Sequence, residues 1–298
     1  MDNNEQPLYK VPTIEEIRDA RKNRIVIMLY AFGDESHDQK MNRFYAVSVI
    51  VGTQEEWDNL AISWNKRIKG IAFHASDCDS DLNKYQNNTH EENKQLYCDL
   101  TNMLAETKLV GYGTAIDIES FRSYFPERAD DIPYLCFHFV IGHFVRIASR
   151  LTPQEKISFT FDINTKTNPG TAALYQWLIS LPEWQDQYAK CIDSVTFATD
   201  EDRVEIQAAD LYSREIMKYY DEYCTGKRDL RKSIQALFDT GRYKCDLMDR
   251  KFIENWKNEC DSAEVSNDLY NEWLLKNRLK DNAPNRYKFL INTSELWY

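Results

Sequence analysis

Two apolar runs rich in β-branched residues, "RIVIMLYAFG" (24–33) and "RFYAVSVIVG" (43–52), flank the polar stretch "DESHDQKMN". Runs of this kind bounded by polar clusters predict strands over Ile25–Gly33 and Arg43–Gly52, paired as a hairpin. Ahead of them, Thr13 with Glu16 three residues on ("TIEEIRDARKNR") has the form of a capping box and predicts a short helix to Arg24. Behind them, Thr53 starts a second helix in which Trp57, Leu60, Ala61, Trp64 and Ile68 recur at helical spacing. Phe73–Asn88 is polar and irregular, and a helix is expected over about Glu91–Thr107. A third strand follows at Leu109–Ile118.

The pattern then alternates. Ile132–Leu151 is apolar on most sides, as in a largely buried helix. Lys156–Ile163 predicts a fourth strand, "NPGTAALYQWLIS" a helix with Pro near its start, Cys191–Thr199 a fifth strand, and Val204–Tyr223 an amphipathic helix. Beyond Gly226 the chain is charged and helical in pattern, with "RYKFLINTSELWY" as a final strand. This order predicts an α/β fold: a mixed five-stranded sheet flanked by helices, with a helical insertion (about 54–107) before the third strand and a C-terminal helical extension. The chain divides into an N-terminal helical segment (1–24), a main domain (25–225) and the extension (226–298).

Composition narrows this picture. The 298 residues are 43% hydrophobic and 13% aromatic, enough for a full core. The formal net charge of -11 gives no broad attraction to phosphate backbones or anionic membranes. Nucleic acid therefore stays open as a partner without being implied by charge. The best local basic stretches are "NKRIKG" (65–70) and "GKRDLRKS" (226–233), each of which also reads as an ordinary solvated surface. The most apolar window, "PYLCFHFVIGHFVRIAS", is too short for a membrane span and holds two His and an Arg. The start, "MDNNEQPLYK", has no signal-peptide pattern. Seven cysteines without CxxC pairs fit reduced thiols and a cytoplasmic location, and make a structural zinc site improbable.

Four features carry candidate chemistry. Asp34 and Glu35 stand side by side in "FGDES", where a strand is expected to end. They are either turn residues or a metal-holding acid with its neighbour, and alternation along a strand sends the two to opposite faces. Asp162 ends the apolar run "FTFDI", a position where α/β sheets gather sites and where turns also begin. Asp210 in "VEIQAADLYSREI" sits beside small alanines and shares a helix face with Gln207; burying it calls for a partner, a metal or an arginine. In "FHASDCDSD", Asp77, Asp79 and Asp81 alternate like a calcium loop. However, Leu82 and Asn88 occupy the positions that need Gly and Glu, which excludes an EF-hand. His74 with Asp77 remains a candidate acid/base or ligand pair. His138 and His143, five apart, do not share a face and read as core or surface histidines. Cys78 lacks a base pattern for a nucleophile. No Walker loop or GxGxxG is present.

Together "YAFGDES", "FHASD", "FTFDI" and "IQAADLYSREI" resemble the uncharacterised family known as domain of unknown function 3800, which is placed among ribonuclease H-like proteins. The likeness covers about Ile25–Tyr223. The Asp-Glu-Ser strand together with the Gln-x-Ala-Asp-Leu helix is its specific part, and His37 departs from the Gly usual after Asp-Glu-Ser. The resemblance implies a ribonuclease H-like sheet with Asp34, Asp162 and Asp210 as ligands of Mg²⁺ or Mn²⁺. It also implies Glu35 as a fourth ligand or supporting group, His74 as a proton shuttle, and Gln207 and Asp77 in support. The chemistry implied is phosphodiester hydrolysis with two ions ~3.5–4 Å apart, in a defence or mobile-element context. The rival expectation is a catalytically inactive binding or interaction module of the same fold. A third is a component acting with a protein partner or as a homo-oligomer, docked through Trp273, Tyr287, Phe289, Trp297 and Tyr298.

Overall fold

A computed structural model describes residues 28–38, 40–151, 156–163, 168–178, 191–199, 203–262, 271 and 274–276. The predicted helix at 13–24, the first residues of the first predicted strand, the final predicted strand and the tail aromatics Trp273, Tyr287, Phe289, Trp297 and Tyr298 lie outside them.

The elements run β1 (Leu29–His37), β2 (Phe44–Thr53), α1 (Gln54–Ile68), α2 (Ala75–Asp79), α3 (His90–Glu106), β3 (Val110–Asp117), α4 (Ile118–Tyr124), α5 (Ile132–Leu151), β4 (Ile157–Asp162), α6 (Asn168–Leu178), β5 (Ile192–Ala198), α7 (Val204–Lys218), α8 (Lys232–Asp239), β6 (Tyr243–Met248) and α9 (Arg250–Ser262). The strands form one sheet in the order β5-β4-β1-β2-β3-β6. β2 pairs antiparallel with both its neighbours and every other pairing is parallel, so β2 alone runs in the reverse direction.

Two helix starts are fixed by reciprocal caps. Thr53 Oγ1 accepts the Glu56 N–H (3.3 Å) while Glu56 accepts the Thr53 N–H (3.1 Å). Thr89 and Glu92 do the same at α3 (3.2 and 2.7 Å). Each box satisfies amides that a helix start would otherwise leave open.

The sheet carries an apolar core on each face. Ala31, Val47, Val49 and Phe159 pack with Leu135, Val140, Ile141 and Phe144 of α5. Phe32, Ala46, Ile50 and Ala115 pack with Ile206, Leu211, Tyr212 and Ile216 of α7. The helical insertion of α1–α3 adds Trp57, Trp64, Phe73 and Leu100 to this second core. α7 comes close to the sheet because Gly113 of β3 has no Cβ; one there would run into Ile216.

The structure corrects the sequence expectations in three places. First, β1 does not end at Gly33. It runs on to His37, with Asp34 opposite Ser48 and His37 opposite Tyr45. The turn lies later and is organised by Asp38, whose carboxylate accepts the N–H groups of Asn42 and Arg43 (both 2.9 Å), with Met41 at φ 48°. A polar run therefore continues the ladder, because the backbone of apolar β2 must be paired on both sides. His37 lies within the strand and stacks on Tyr45 (centroids 6.0 Å apart), so no glycine is required there.

Second, the sheet has six strands rather than five. Within the extension expected to be helical, "YKCDLM" forms β6 on the β3 edge, from Gly111↔Tyr243 to Ile116↔Met248. The tail thus supplies a strand that covers a β3 edge otherwise open to solvent. Third, α7 gives way after Lys218 to a π-helical turn at Tyr219–Cys224. Among the described residues no helix is long and apolar enough to cross a membrane.

Candidate active site

Asp34 and Asp162 lie on β1 and β4, neighbouring parallel strands near the centre of the sheet, Asp162 as the last residue of β4 and Asp34 three residues before the end of β1. Asp34 and Asp162 each follow the last register pair, Gly33↔Phe161, by one residue. Adjacent strands lie ~4.8 Å apart, and residues level in register face the same way, so the two side chains leave the sheet on one face. Asp34 shares the parity of Phe32, which packs in the α7 core. Glu35 shares that of Ala31, which packs in the α5 core. Alternation therefore separates the acid pair: Asp34 faces α7 with Asp162, and Glu35 faces the opposite side, where its charge acts on buried Tyr45.

α7 supplies Asp210 above this corner and is fastened there by two serines. Ser213 Oγ donates to the Asp34 carbonyl (2.7 Å) and lies 2.8 Å from Ser48 Oγ, which reaches the Ala209 carbonyl (3.2 Å). Ser48 is also the β2 residue opposite Asp34. Three elements are thus tied at the level of Asp34, one helical turn from Asp210.

Asp34 is buried, and its pKa stands well above that of an ordinary aspartate. Burial is the largest cause; the negative charges of Asp210, Glu35 and Asp162 add to it, and the Glu35 N–H, donating to Asp34 Oδ1 at 2.7 Å, opposes it. The three candidate ligands and Glu35 therefore belong to one electrostatic group. Among the described residues, however, no three His, Cys, Asp or Glu side chains converge closely enough to hold one metal ion. Asp34 turns Oδ1 to the Glu35 amide, and Asp210 turns Oδ2 to the Ala75 N–H (both 2.7 Å).

That Ala75 contact belongs to a clamp which sequence reasoning found only in part. Gln207, Asp210 and Arg214 follow one face of α7 at spacings of three and four. Gln207 Oε1 accepts from Trp64 Nε1 (2.9 Å) and the Phe73 N–H (3.0 Å). Asp210 takes Ala75, and Arg214 donates to Asp79 Oδ2 through Nε (3.2 Å) and Nη2 (2.9 Å). Together they lay "FHASDCD" along the helix. Gln207 holds the insertion through Trp64 and Phe73, a use that its shared helix face with Asp210 did not reveal. Ser48, Ser213 and the Arg214–Asp79 pair gave no local signal, since their partners lie 135 to 179 residues away.

His74 precedes Ala75 and is partly exposed. Its Nδ1 lies 3.2 Å from Ser76 Oγ and 3.5 Å from Asp77, and Asp77 also accepts from Asn83 (2.8 Å). Asp79 pairs with Arg214 and Arg231, and Asp81 with Asn93 and His90. The three alternating acids thus diverge to separate partners. Cys78 is buried and its thiol is pushed up to about 12, chiefly by burial, so it is no thiolate. His138 is held at about 3 by burial and Arg146, and His143, stacked on Tyr112 at 3.5 Å, at about 4 mainly by burial. Both act as neutral core groups.

Neither the models of known protein families nor the sequences of curated proteins gave a match to this chain. The likeness to the domain of unknown function 3800 rests on the four segments quoted above.

Proposed function

We propose that the chain is a divalent-metal-dependent hydrolase of phosphodiester bonds, nuclease-like in chemistry and ribonuclease H-like in fold. The observation that carries this reading is Asp34: a buried carboxylate on a central strand, acted on by the negative charges of Asp210, Glu35 and Asp162. Gathering like charges where water is scarce is unfavourable unless a cation joins them. An all-oxygen donor set suits Mg²⁺ or Mn²⁺. Mg²⁺ keeps several waters and is held by one or two carboxylates, so Asp34 with Asp210 or Asp162 suffices without a closed cage of three. The order β5-β4-β1-β2-β3, with β2 alone reversed, supports the ribonuclease H-like assignment.

Cations at this corner supply neutralisation of phosphate charge and activation of water. The chain's own part is positional. Ser213 and the Glu35 amide fix Asp34, Ala75 fixes Asp210, and the register fixes Asp162 beside Asp34. His74, whose Nδ1 lies near Ser76 and Asp77, would serve as the proton shuttle that the resemblance implies through its other ring nitrogen. The test is cleavage of RNA, DNA and hybrid substrates with Mg²⁺ or Mn²⁺. Activity falls to background in Asp34→Asn and Asp210→Asn; cleavage unchanged in both variants overturns the assignment.

One observation favours a second reading. Gln207, Asp210 and Arg214 all hold the insertion, a purely structural use of the same helix face. On that reading the chain is an inactive binding or interaction module, and Asp210→Asn lowers stability while the wild type cleaves nothing.

A further inference from the structure

The π-helical turn after α7 gathers positive charge in an otherwise acidic chain. Its Asp221 and Glu222 are buried and each holds two cations. Arg43 Nη1 (2.7 Å) and Lys227 Nζ (3.1 Å) meet on the same oxygen, Asp221 Oδ1. Lys218 (2.7 Å) and Arg228 (3.4 Å) take the two oxygens of Glu222. Lys218 is shared with Asp79 (3.9 Å), and the other three cations outnumber the two carboxylates by one. The acids lie inside (4% and 10% exposed), while Arg43, Lys227 and Arg228 show 49%, 48% and 71% of their side chains to solvent. The buried carboxylates thus fix the stems of cations whose outer parts form the surface.

Beside them stands Tyr223, 44% exposed and stacked on Tyr219 at 5.5 Å. Its carbonyl accepts the Gly226 N–H (2.8 Å) and the Glu222 carbonyl accepts the Lys227 N–H (2.8 Å), which closes the loop carrying Lys227 and Arg228 onto the turn. Exposed aromatic faces next to a line of cations are the means by which proteins hold single-stranded nucleic acid: bases stack and phosphates pair. Thirteen residues separate Tyr223 from Asp210 along this helix, roughly 20 Å at ~1.5 Å per residue. That spans about six nucleotides at ~3.4 Å of rise each.

We infer that Arg43, Lys227, Arg228 and Tyr223 form a docking ridge for single-stranded nucleic acid, leading toward the acid cluster. The ridge names the substrate class of the proposed hydrolase and rests on that reading. Its binding is measured without divalent metal, so the ridge and the metal chemistry fail separately.

The experiment is fluorescence anisotropy with labelled single-stranded RNA and DNA oligonucleotides and the matching duplex, in EDTA, over a series of salt concentrations. Lys227→Ala/Arg228→Ala should weaken single-strand binding and flatten log Kd against log[salt] by about 1.4, at ~0.7 per lost contact. Tyr223→Ala should weaken binding about fivefold or more with the salt slope kept, as loss of a stacked base does. Lys66→Ala/Lys69→Ala, which removes two cations from the other basic stretch, should change neither quantity. Absence of single-strand binding overturns the inference, as does duplex binding as tight as single-strand binding. A salt slope that moves equally with the Lys66/Lys69 control also overturns it. In each of these cases the metal-dependent assays on Asp34 and Asp210 still stand.

Discussion

Asp79 fastens the insertion to α7, and its charge can be weighed against pH. Its carboxylate takes Arg214 on one oxygen (2.9 Å) and Arg231 on the other (2.8 Å), with 16% of the side chain exposed. Burial alone would raise its pKa; the two guanidiniums prevail and hold it at about 2, against 3.8 for a free aspartate. A folded-state pKa below the unfolded one means stability that is full above the unfolded value and lost as pH falls toward the folded one. A fall from 3.8 to about 2 makes the ionised carboxylate worth roughly 2 kcal/mol at pH 7. At pH 3, where most of the unfolded population is already protonated, roughly 1 kcal/mol of this is left. Asp79→Asn should therefore destabilise the protein by about 2 kcal/mol in urea unfolding at pH 7, and by about 1 kcal/mol less at pH 3. A stability difference that does not change between the two pH values would refute the view that charge pairing, rather than shape, holds this joint.

Three further outcomes follow from named contacts. Arg231 also pairs with Glu215, which is wholly buried and accepts from Ser233 (2.6 Å); Arg231→Met should cost about 3–5 kcal/mol by stranding that charge, and a loss under about 1 kcal/mol in urea unfolding would contradict it. Asp34 has a raised pKa, so its contribution to stability is full below the unfolded value and declines as pH rises through the folded one. In metal-free buffer Asp34→Asn should be more stable than wild type at pH 8, with an advantage that shrinks toward pH 4, and a thermal melt showing the reverse trend would count against the acid cluster. Gly113→Ala should cost about 1–3 kcal/mol, because the new methyl meets Ile216 and the Val47 carbonyl; an unchanged melting temperature would mean that α7 sits farther from the sheet.

The parts of the fold legible in the sequence were those where one period dominates. The apolar alternation of β2, β3 and β4 and the continuous apolar surface of α5 were readable because burial on the sheet faces sets them directly. The start of α1 was readable from Thr53, whose hydroxyl makes the cap expected of it. β1 beyond Gly33 was not, because "DESH" is polar and its pairing is imposed by the partner strand. β6 was missed because "YKCDLM" mixes a lysine and an aspartate into a charged tail, and its strand character comes from the β3 edge. In the site, Asp34 and Asp162 were found as acids where apolar runs stop and Asp210 as an acid beside small alanines on a helix face, and the parity argument placed Glu35 on the far face. The clamp of the insertion on α7 escaped because Asp79 meets Arg214 across 135 residues, a distance over which no local pattern speaks.

The central claim is that the acid corner of Asp34, Asp162 and Asp210 is a divalent-cation site, and titration of Mn²⁺ into the metal-free protein, followed by calorimetry, tests it most directly. The account predicts saturable binding below millimolar Mn²⁺ in the wild type, lost in Asp34→Asn, with Mg²⁺ competing. No binding at millimolar metal, or binding unchanged in Asp34→Asn, would contradict it.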